Sequence, residues 1–255
     1  MTELFLIGIG TGNPDHLTGE GVAAIRSADL ILVPRKGDGK ADLAELREDI
    51  IEKVTDGRPP EIVFFDIPDR GSDDGYLSGV HDWHDAIALR WQEAIATVDP
   101  APETVALLVW GDPSLYDSTL RIADRLAPKP NVRVVPGITA LQALTAAHAI
   151  PINDLGSPFT VTTGRRLRDE GWPSGVETVA VMLDGQCSFS ALAEPETIHI
   201  WWGAYLGMKE QLLHAGPLDE VADTIRAKRA HARAGHGWIM DVYLLKKSAR
   251  TGSGT

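Results

Sequence analysis

Apolar residues in the first half of the chain fall into short unbroken runs, separated by stretches in which they recur every three or four positions. LFLIGI (4–9), ADLILVP (28–34), EIVFFDIP (61–68) and VALLVW (105–110) are the runs, each predicting a strand buried on both faces. Between them, LTGEGVAAIRSA places Leu17, Ala24, Ile25 and Ala28 on one helical face. A second helix is predicted with Leu43, Leu46, Ile50 and Ile51 at the same spacing, and a third, VHDWHDAIALRWQEAI, with Val80, Trp83, Ile87 and Trp91. NVRVVPGITALQALTAA (131–147) repeats the strand, turn and helix, with Thr139 as the predicted N-cap after Pro136 and Gly137. Strands alternating with helices predict a parallel sheet covered on both faces.

From about Phe159 the pattern becomes β-branched and alternating. FTVTTGRR, TVAVML, TIHIWWGAYLG and GWIMDVYLLKK are four predicted strands separated by helices, so the second half reads as a mixed sheet. The fold class is α/β in two domains, 1–137 and 138–247, followed by a flexible tail at 248–255 whose SARTGSGT composition favours no structure. DRGSDDGYLSG (69–79) reads as a loop or lid.

Composition narrows the function classes. The 255 residues carry 36 acidic and 24 Lys or Arg side chains, a formal net charge of −12, which argues against nonspecific binding to nucleic acid or an anionic membrane. No apolar run reaches the roughly 18 residues of a membrane helix, and no secretory leader pattern opens the chain, so the expected location is the cytoplasm. A single cysteine, Cys187, excludes an internal disulfide and any multi-cysteine metal site, and no metal is expected.

The glycine loop GIGTGNPDHLT after the first strand invites a phosphate-cradle reading that its spacing refuses. A dinucleotide fingerprint starting at Gly8 needs glycine at Asn13, one starting at Gly10 needs it at Asp15, and the Gly-Lys pair of a P-loop is absent. Three turns nevertheless share one design, an apolar strand ending in IGIGTGNP, in VWGDPSLY or in VVPGITA. Ligands in open α/β sheets bind beyond the carboxyl ends of the strands, where such turns converge. Among titratable groups, His81 and His84 bracket Trp83 and are candidate bases near neutral pH. Trp201 and Trp202 occupy adjacent strand positions and face opposite ways, with core packing expected for both.

The ordered set GIGTGNPDHLT, GDPSLY and PGITA resembles the tetrapyrrole methylases, the S-adenosylmethionine-dependent enzymes of corrin and sirohaem synthesis, over nearly the whole chain. The family's loop carries proline where this chain has Thr11. The resemblance implies two α/β domains with the active site in the cleft between them, and a homodimer. It implies cofactor contacts at Pro14, Gly111, Asp112, Tyr116, Thr139, Ala140, Met182, Ala204 and Tyr205, where turn glycines admit the ligand and the Asp112 anion favours a sulfonium. It also implies a carboxylate-rich macrocyclic substrate. The cluster Arg35, Lys36, Lys40 and Arg47, and a second at Arg165, Arg166 and Arg168, are then the expected carboxylate binders. Either methylation with loss of a two-carbon acyl group, needing a general base such as His81 or His84, or methylation of another ring carbon without it, stays open. A nicotinamide oxidoreductase and a noncatalytic tetrapyrrole carrier are the rival classes.

Overall fold

The computed structural model describes residues 3–35, 41–68 and 76–247. Lys36, Lys40, most of the 69–79 loop and the 248–255 tail therefore lie outside the described residues. The chain divides into two compact units, Met1–Thr139 and Ala140–Thr255.

In the first unit, β1 (Glu3–Gly8), β2 (Leu30–Arg35), β3 (Glu61–Asp66), β4 (Thr104–Val109) and β5 (Asn131–Val135) form one sheet in the order β3-β2-β4-β1-β5. Every pairing is parallel. The connections are α1 (Gly19–Ser27), α2 (Ala41–Thr55), α3 (Tyr76–Ile95) and α4 (Thr119–Ala123). From β1 the chain moves outward one way to β2 and β3, then reverses to β4 and β5. Right-handed crossovers therefore place α1 and α2 on one face and α3 and α4 on the other.

The core obeys that division because side chains alternate along a strand. Phe5, Ile7 and Ile9 pack with Ala24 and Ile25 of α1 and with Ile50 and Ile51 of α2. Leu4 and Leu6 pack with Ile87 and Trp91 of α3 and with Ile122 of α4. The reversal makes the carboxyl ends of β1 and β4 the switch point, where a ligand crevice is expected.

The second unit holds α5 (Ala140–His148), β6 (Phe159–Thr163), α6 (Gly164–Glu170), β7 (Thr178–Met182), β8 (Ile198–Ala204), β9 (Leu212–Pro217), α7 (Leu218–His236) and β10 (Asp241–Lys247). Its sheet runs β6-β7-β10-β8-β9. Only β6 and β7 pair in parallel, and β10 lies antiparallel to both β7 and β8. The sheet has five strands rather than the four predicted. LLHAGP was missed because Gly216 and Pro217 read as a turn; at the sheet edge, where one side of the strand needs no ladder partner, both are tolerated.

Candidate functional site

At the switch point the three turns of the first unit are in contact through glycine. Ile9 donates its N–H to Val109 O at 2.9 Å, and Gly10 and Gly111 then exchange backbone hydrogen bonds of 3.3 and 2.7 Å, an isolated antiparallel bridge beyond the parallel ladder. A Cβ on Gly8 would lie 2.6 Å from Gly137 N and 2.8 Å from Gly111 O, and one on Gly137 would run into Gly111 O and Gly8. Gly8 and Gly137 are thus needed for packing of one turn on another, a close approach of backbone to backbone. Gly10, Gly12 and Gly111 have φ of 74°, 114° and 65°, the left-handed region that glycine enters without strain. Gly111 does leave room, since a Cβ there would meet only Thr139 Cα, at 3.8 Å.

Asp112 pins this arrangement. Oδ1 accepts from Ser114 N (2.8 Å) and Ser114 Oγ (2.5 Å), and Oδ2 accepts from Gly137 N at 2.8 Å. Burial would raise the carboxyl pKa, but the bonds from Ser114 and Gly137 outweigh it and hold the group below the ordinary carboxylate range. Both oxygens are engaged by the protein, so Asp112 acts first as a clamp between the GDP and PGI turns. Tyr116, four residues on, holds φ of 51° and is exposed.

Beside β4 the sheet opens. Pairing of β2 with β4 ends at Leu32 and Leu107, and two residues further along β2 stands Pro34, which has no N–H to donate. The Leu108 carbonyl accepts instead from Arg47 Nε at 3.2 Å, and the guanidinium lies 5.7 Å from the Trp110 ring centroid. Desolvation pushes the Arg47 pKa down to about 10, against the attraction of Asp117. Arg35, at the carboxyl end of β2, stacks its guanidinium 3.6 Å from the Phe64 ring centroid and is exposed.

The first loop is locally ordered. Asn13 Oδ1 accepts from Asp15 N at 2.9 Å, Pro14 opens a short 3-10 turn ending at His16, and Thr18 caps α1 through Gly21 N at 3.0 Å. Two side-chain atoms in this loop, Thr11 Oγ1 and His16 Nδ1, are buried without a hydrogen-bond partner. Each such atom costs about 1–3 kcal/mol unless something polar meets it. No feature of residue spacing marked His16 in the sequence; only burial without a partner singles it out.

His81 and His84 sit on α3. His81 Nδ1 is 2.9 Å from Arg125 Nη2, and Arg125 pairs with Asp85 at 2.6 Å. His84 is 3% exposed, tilted against Trp83 at 5.8 Å between ring centroids. Burial, followed by the Arg125 charge, keeps its imidazole below the usual histidine range and therefore neutral near pH 7. His81 is exposed with its Nδ1 held by the arginine, and His84 lies in the interior with both ring nitrogens unpartnered.

In the second unit, the register brings three of the sequence-predicted residues to one end of the central strands. Tyr243 pairs with Val181 and Asp241 with Ala204, so Met182 and Ala204 end their strands on either side of the start of β10. Tyr205 continues from Ala204 with φ of 50°; its ring is buried, its hydroxyl donates to Trp238 O at 2.6 Å, its N–H donates to Met240 O and its C=O accepts from Met208 N, both at 3.0 Å. That end rests on a buried polar network. Arg229 grips Asp241 with Nε and Nη2 at 2.9 and 3.2 Å, and Nη2 also donates to Asp184 O at 2.8 Å. Asp184 in turn accepts from Tyr243 OH and Ser188 N, both at 2.6 Å. These bonds hold the segment after β7 in which Leu183 (φ 53°) stands 65% exposed.

The remaining expectations divide. Trp202 is fully buried, its Nε1 donating to Asp241 Oδ2 at 2.9 Å, while Trp201 is half-buried with its ring 4.2 Å from that of His199. Arg166 pairs with Glu170 and Arg168 with Asp169, so these two charges of the second basic cluster are answered on their own helix. Cys187 is buried, and burial pushes its thiol above its ordinary range, which is unsuited to a nucleophile. Among the described residues no group of three or more His, Cys, Asp or Glu could hold a metal ion, and no helix is long and apolar enough to cross a membrane.

A parallel sheet whose first, fourth and fifth strands end in interlocked glycine turns, together with a mixed five-stranded sheet, defines an α/β protein of the methylase kind. The profile of the Tetrapyrrole (Corrin/Porphyrin) Methylases matches residues 3–222, and the chain belongs to that family. The chain is 44% identical over 254 residues to the precorrin-6A synthase [deacetylating] of a Sinorhizobium species, covering 98% of this chain and 97% of that one. A crystal structure from Corynebacterium diphtheriae, described as related to cobalamin synthesis, superposes with a TM-score of 0.80 at 37% identity over 97% of this chain and 99% of the other. The uroporphyrin-III C-methyltransferase of Thermus thermophilus, solved with S-adenosyl homocysteine, shares the fold at a TM-score of 0.58 and 20% identity, over 96% and 97% of the two chains.

Proposed function

We propose that this protein is an S-adenosylmethionine-dependent C-methyltransferase of cobalamin synthesis that methylates precorrin-5 at C-1 and releases acetate, giving precorrin-6A. The observation that carries this reading is the interlock of Gly8, Gly111 and Gly137, which joins the three turns bearing the family motifs at the switch point of the sheet. Nearly full-length similarity to a deacetylating precorrin-6A synthase supports the particular step.

The methyl donor is a substrate here, and the residues suit it. The space beside Gly111 and the main chain of the GDP and PGI turns offer N–H and C=O groups to a polar ligand, without side-chain bulk on the Thr139 side. We assign donor contacts to Pro14, Gly111, Asp112, Tyr116, Thr139, Ala140, Met182, Ala204 and Tyr205. For Asp112 and Tyr205 the assignment is positional, through the turns that their bonds hold. Arg35 is assigned to the substrate carboxylates, whereas Arg47 is assigned to the protein, bracing β4 where β2 leaves it. The protein is assigned to the cytoplasm as a homodimer.

Methyl transfer asks for little covalent help. A ring carbon and the sulfonium methyl must be held in line at near-attack distance, so orientation supplies most of the acceleration. Loss of the acyl group needs more, namely a water and a base to activate it.

The test is an anaerobic incubation with precorrin-5 and methyl-labelled S-adenosylmethionine, following label in the macrocycle and free acetate together. Both are expected in equal amount. Label without acetate moves the enzyme to another step, such as the precorrin-4 C-11 methylation. Neither product, with the macrocycle bound, makes the protein a carrier.

A further inference from the structure

Leu183 stands against two physical preferences at once. Its backbone lies in the left-handed region at φ 53°, where a Cβ is crowded and glycine alone is free of cost, and its side chain is 65% exposed. Among the described non-glycine residues with such a φ, Tyr116 is the other large exposed one, and the rest are buried, small or polar. A branched apolar side chain that keeps most of its surface in water gains nothing from this conformation in the free protein.

The surrounding structure nevertheless fixes it. Asp184, the next residue, is buried, and its carboxylate accepts four bonds: Oδ1 from Gln186 N at 3.0 Å and Ser188 Oγ at 2.9 Å, Oδ2 from Ser188 N and Tyr243 OH, both at 2.6 Å. Its carbonyl takes Nη2 of Arg229 at 2.8 Å, and a Cβ on Gly164 would run into its carboxylate, so α6 begins in contact with it. Strain that a buried network over-determines points to a position kept for function.

Its place is the carboxyl end of the parallel pair β6 and β7, one residue beyond Met182, at the end of the sheet where Ala204 also closes its strand. The same turn carries a cation. Arg168 Nη1 donates to Gln186 Oε1 at 2.5 Å and Nε to Asp169 Oδ1 at 2.9 Å, which leaves Nη2 of a partly exposed guanidinium for a further acceptor. An apolar side chain in water beside a positioned guanidinium nitrogen suits a flat conjugated ring with carboxylates at its margin. Met182 and Ala204 are assigned to the methyl donor, so the side chain standing beyond them is left for the second substrate.

We propose that Leu183 is a specificity-determining contact for the macrocycle, its side chain lying against the apolar face of the ring, with Arg168 directed to a peripheral carboxylate. The proposal rests on the function proposed above and names the residue of the second unit that meets the tetrapyrrole. The left-handed conformation is then held for binding, at the expense of stability.

The test compares the parent with Leu183→Gly, Leu183→Asn, Leu183→Met and Arg168→Gln by anaerobic titration with precorrin-5, calorimetry with S-adenosylmethionine and thermal unfolding. Glycine and asparagine both accept a positive φ, so their thermal midpoints are expected at or above that of the parent. Their affinity for precorrin-5 is expected to fall about 10- to 100-fold, the worth of burying a leucine side chain, with affinity for S-adenosylmethionine unchanged. Leu183→Met, apolar and of similar volume, is expected to keep the parent affinity, and Arg168→Gln to lose less than Leu183→Gly. A merely structural leucine would give the opposite pattern, lower midpoints in the glycine and asparagine variants with precorrin-5 affinity within about twofold of the parent, and that result would overturn the proposal. Weaker S-adenosylmethionine binding with unchanged precorrin-5 binding would overturn it in favour of a donor contact. So would loss of self-association in sedimentation with both affinities unchanged, which makes a second copy of the chain the occupant. A parent that binds precorrin-5 without methylating it overturns the proposed function instead, while the titration still decides the contact, so the two failures are distinguishable.

Discussion

The amide of Gly137 donates to Oδ2 of Asp112 at 2.8 Å, while Oδ1 of the same carboxylate is occupied by Ser114. One anion thereby ties the turn after β4 to the turn after β5. Asp112→Asn keeps the shape but replaces one acceptor with a donor, which must face either the Gly137 N–H or the Ser114 N–H. We expect a loss of about 1–3 kcal/mol in urea unfolding, the cost of one buried group left unpaired, together with weaker S-adenosylmethionine binding. A drop in affinity with unchanged stability would instead mean that the carboxylate acts on the ligand's charge and not through the turn. The pH dependence has a definite sign. Because the folded pKa lies below the unfolded 3.8, this contribution is present above that pH and is lost as pH falls below it.

Gly8 and Gly137 test whether space or conformation is the constraint. Neither has a positive φ, yet a methyl on Gly8 would sit 2.6 Å from backbone nitrogen, which cannot swing aside as a side chain can. Gly8→Ala and Gly137→Ala are expected to cost upwards of about 1–3 kcal/mol, the range for overpacking, and to abolish donor binding. Gly19→Ala is the control: at the first residue of α1 nothing lies within 4 Å of its Cβ, and better helix propensity should leave stability equal or about 0.5–1 kcal/mol higher. Chemical denaturation of the three variants decides.

Much of the first unit was legible because its periodicity comes from burial on both faces of one sheet: Leu4 and Leu6 belong to one layer, Phe5 and Ile7 to the other. The turns at Gly8, Gly111 and Gly137 could be found as motifs, but not their reason. Contact between Gly8 and Gly137 spans residues far apart in sequence, and nothing local distinguishes a glycine kept for packing from one kept for φ. β9 was lost to its Gly216 and Pro217, which are turn formers unless an edge position spares them the ladder. His81 and His84 were noticed in the sequence because they bracket Trp83, whereas the burial of His84 and the contact of His81 with Arg125 are properties that only the fold creates.

His84 should make the protein acid-sensitive. Its folded pKa lies below the unfolded 6.5, chiefly through burial, so the unfolded chain binds the proton first as pH falls. Stability is therefore full above about pH 6.5 and declines as pH falls from there toward the folded value. His199 and His214 are shifted the same way and add to the slope. Thermal midpoints of the parent between pH 7.5 and 5 should fall, and His84→Gln, which cannot be protonated, should flatten part of that fall. An unchanged slope would show that His84 is not responsible.

The Arg229–Asp241 pair is a buried bridge whose charges also anchor Trp202 and the Asp184 carbonyl. Removing one partner strands the other. Asp241→Ala and Arg229→Ala are each expected to destabilise the protein by about 3–5 kcal/mol, the cost of an uncompensated buried charge. Replacing both by apolar residues should recover a substantial part, since the penalty is that of the stranded partner and not the worth of the bond. A double-mutant cycle read by urea unfolding measures this directly, and additive losses would mean that the two residues act separately.

Arg35 and Arg47 come from one basic cluster in the sequence and are expected to behave oppositely. The Arg47 guanidinium is desolvated, bonded to Leu108 O and set over Trp110, and stands where β2 no longer reaches β4. Arg47→Met should loosen the carboxyl end of β4, lowering the thermal midpoint and weakening binding of the methyl donor as well. Arg35 lies at the open end of β2, braced flat by Phe64, so its forked donors are pre-organised at little entropic cost. Arg35→Glu should leave the thermal midpoint and S-adenosylmethionine affinity unchanged while weakening precorrin-5 binding by about 10- to 100-fold, as expected for losing a bidentate carboxylate contact and gaining a repulsion. Arg35→Lys should lie between, because the point charge survives and the fork does not. Titration of the macrocycle at low and moderate salt checks the assignment: parent and Arg35→Glu should converge as salt screens the exposed charge, and equal affinity at low salt would remove Arg35 from the substrate face.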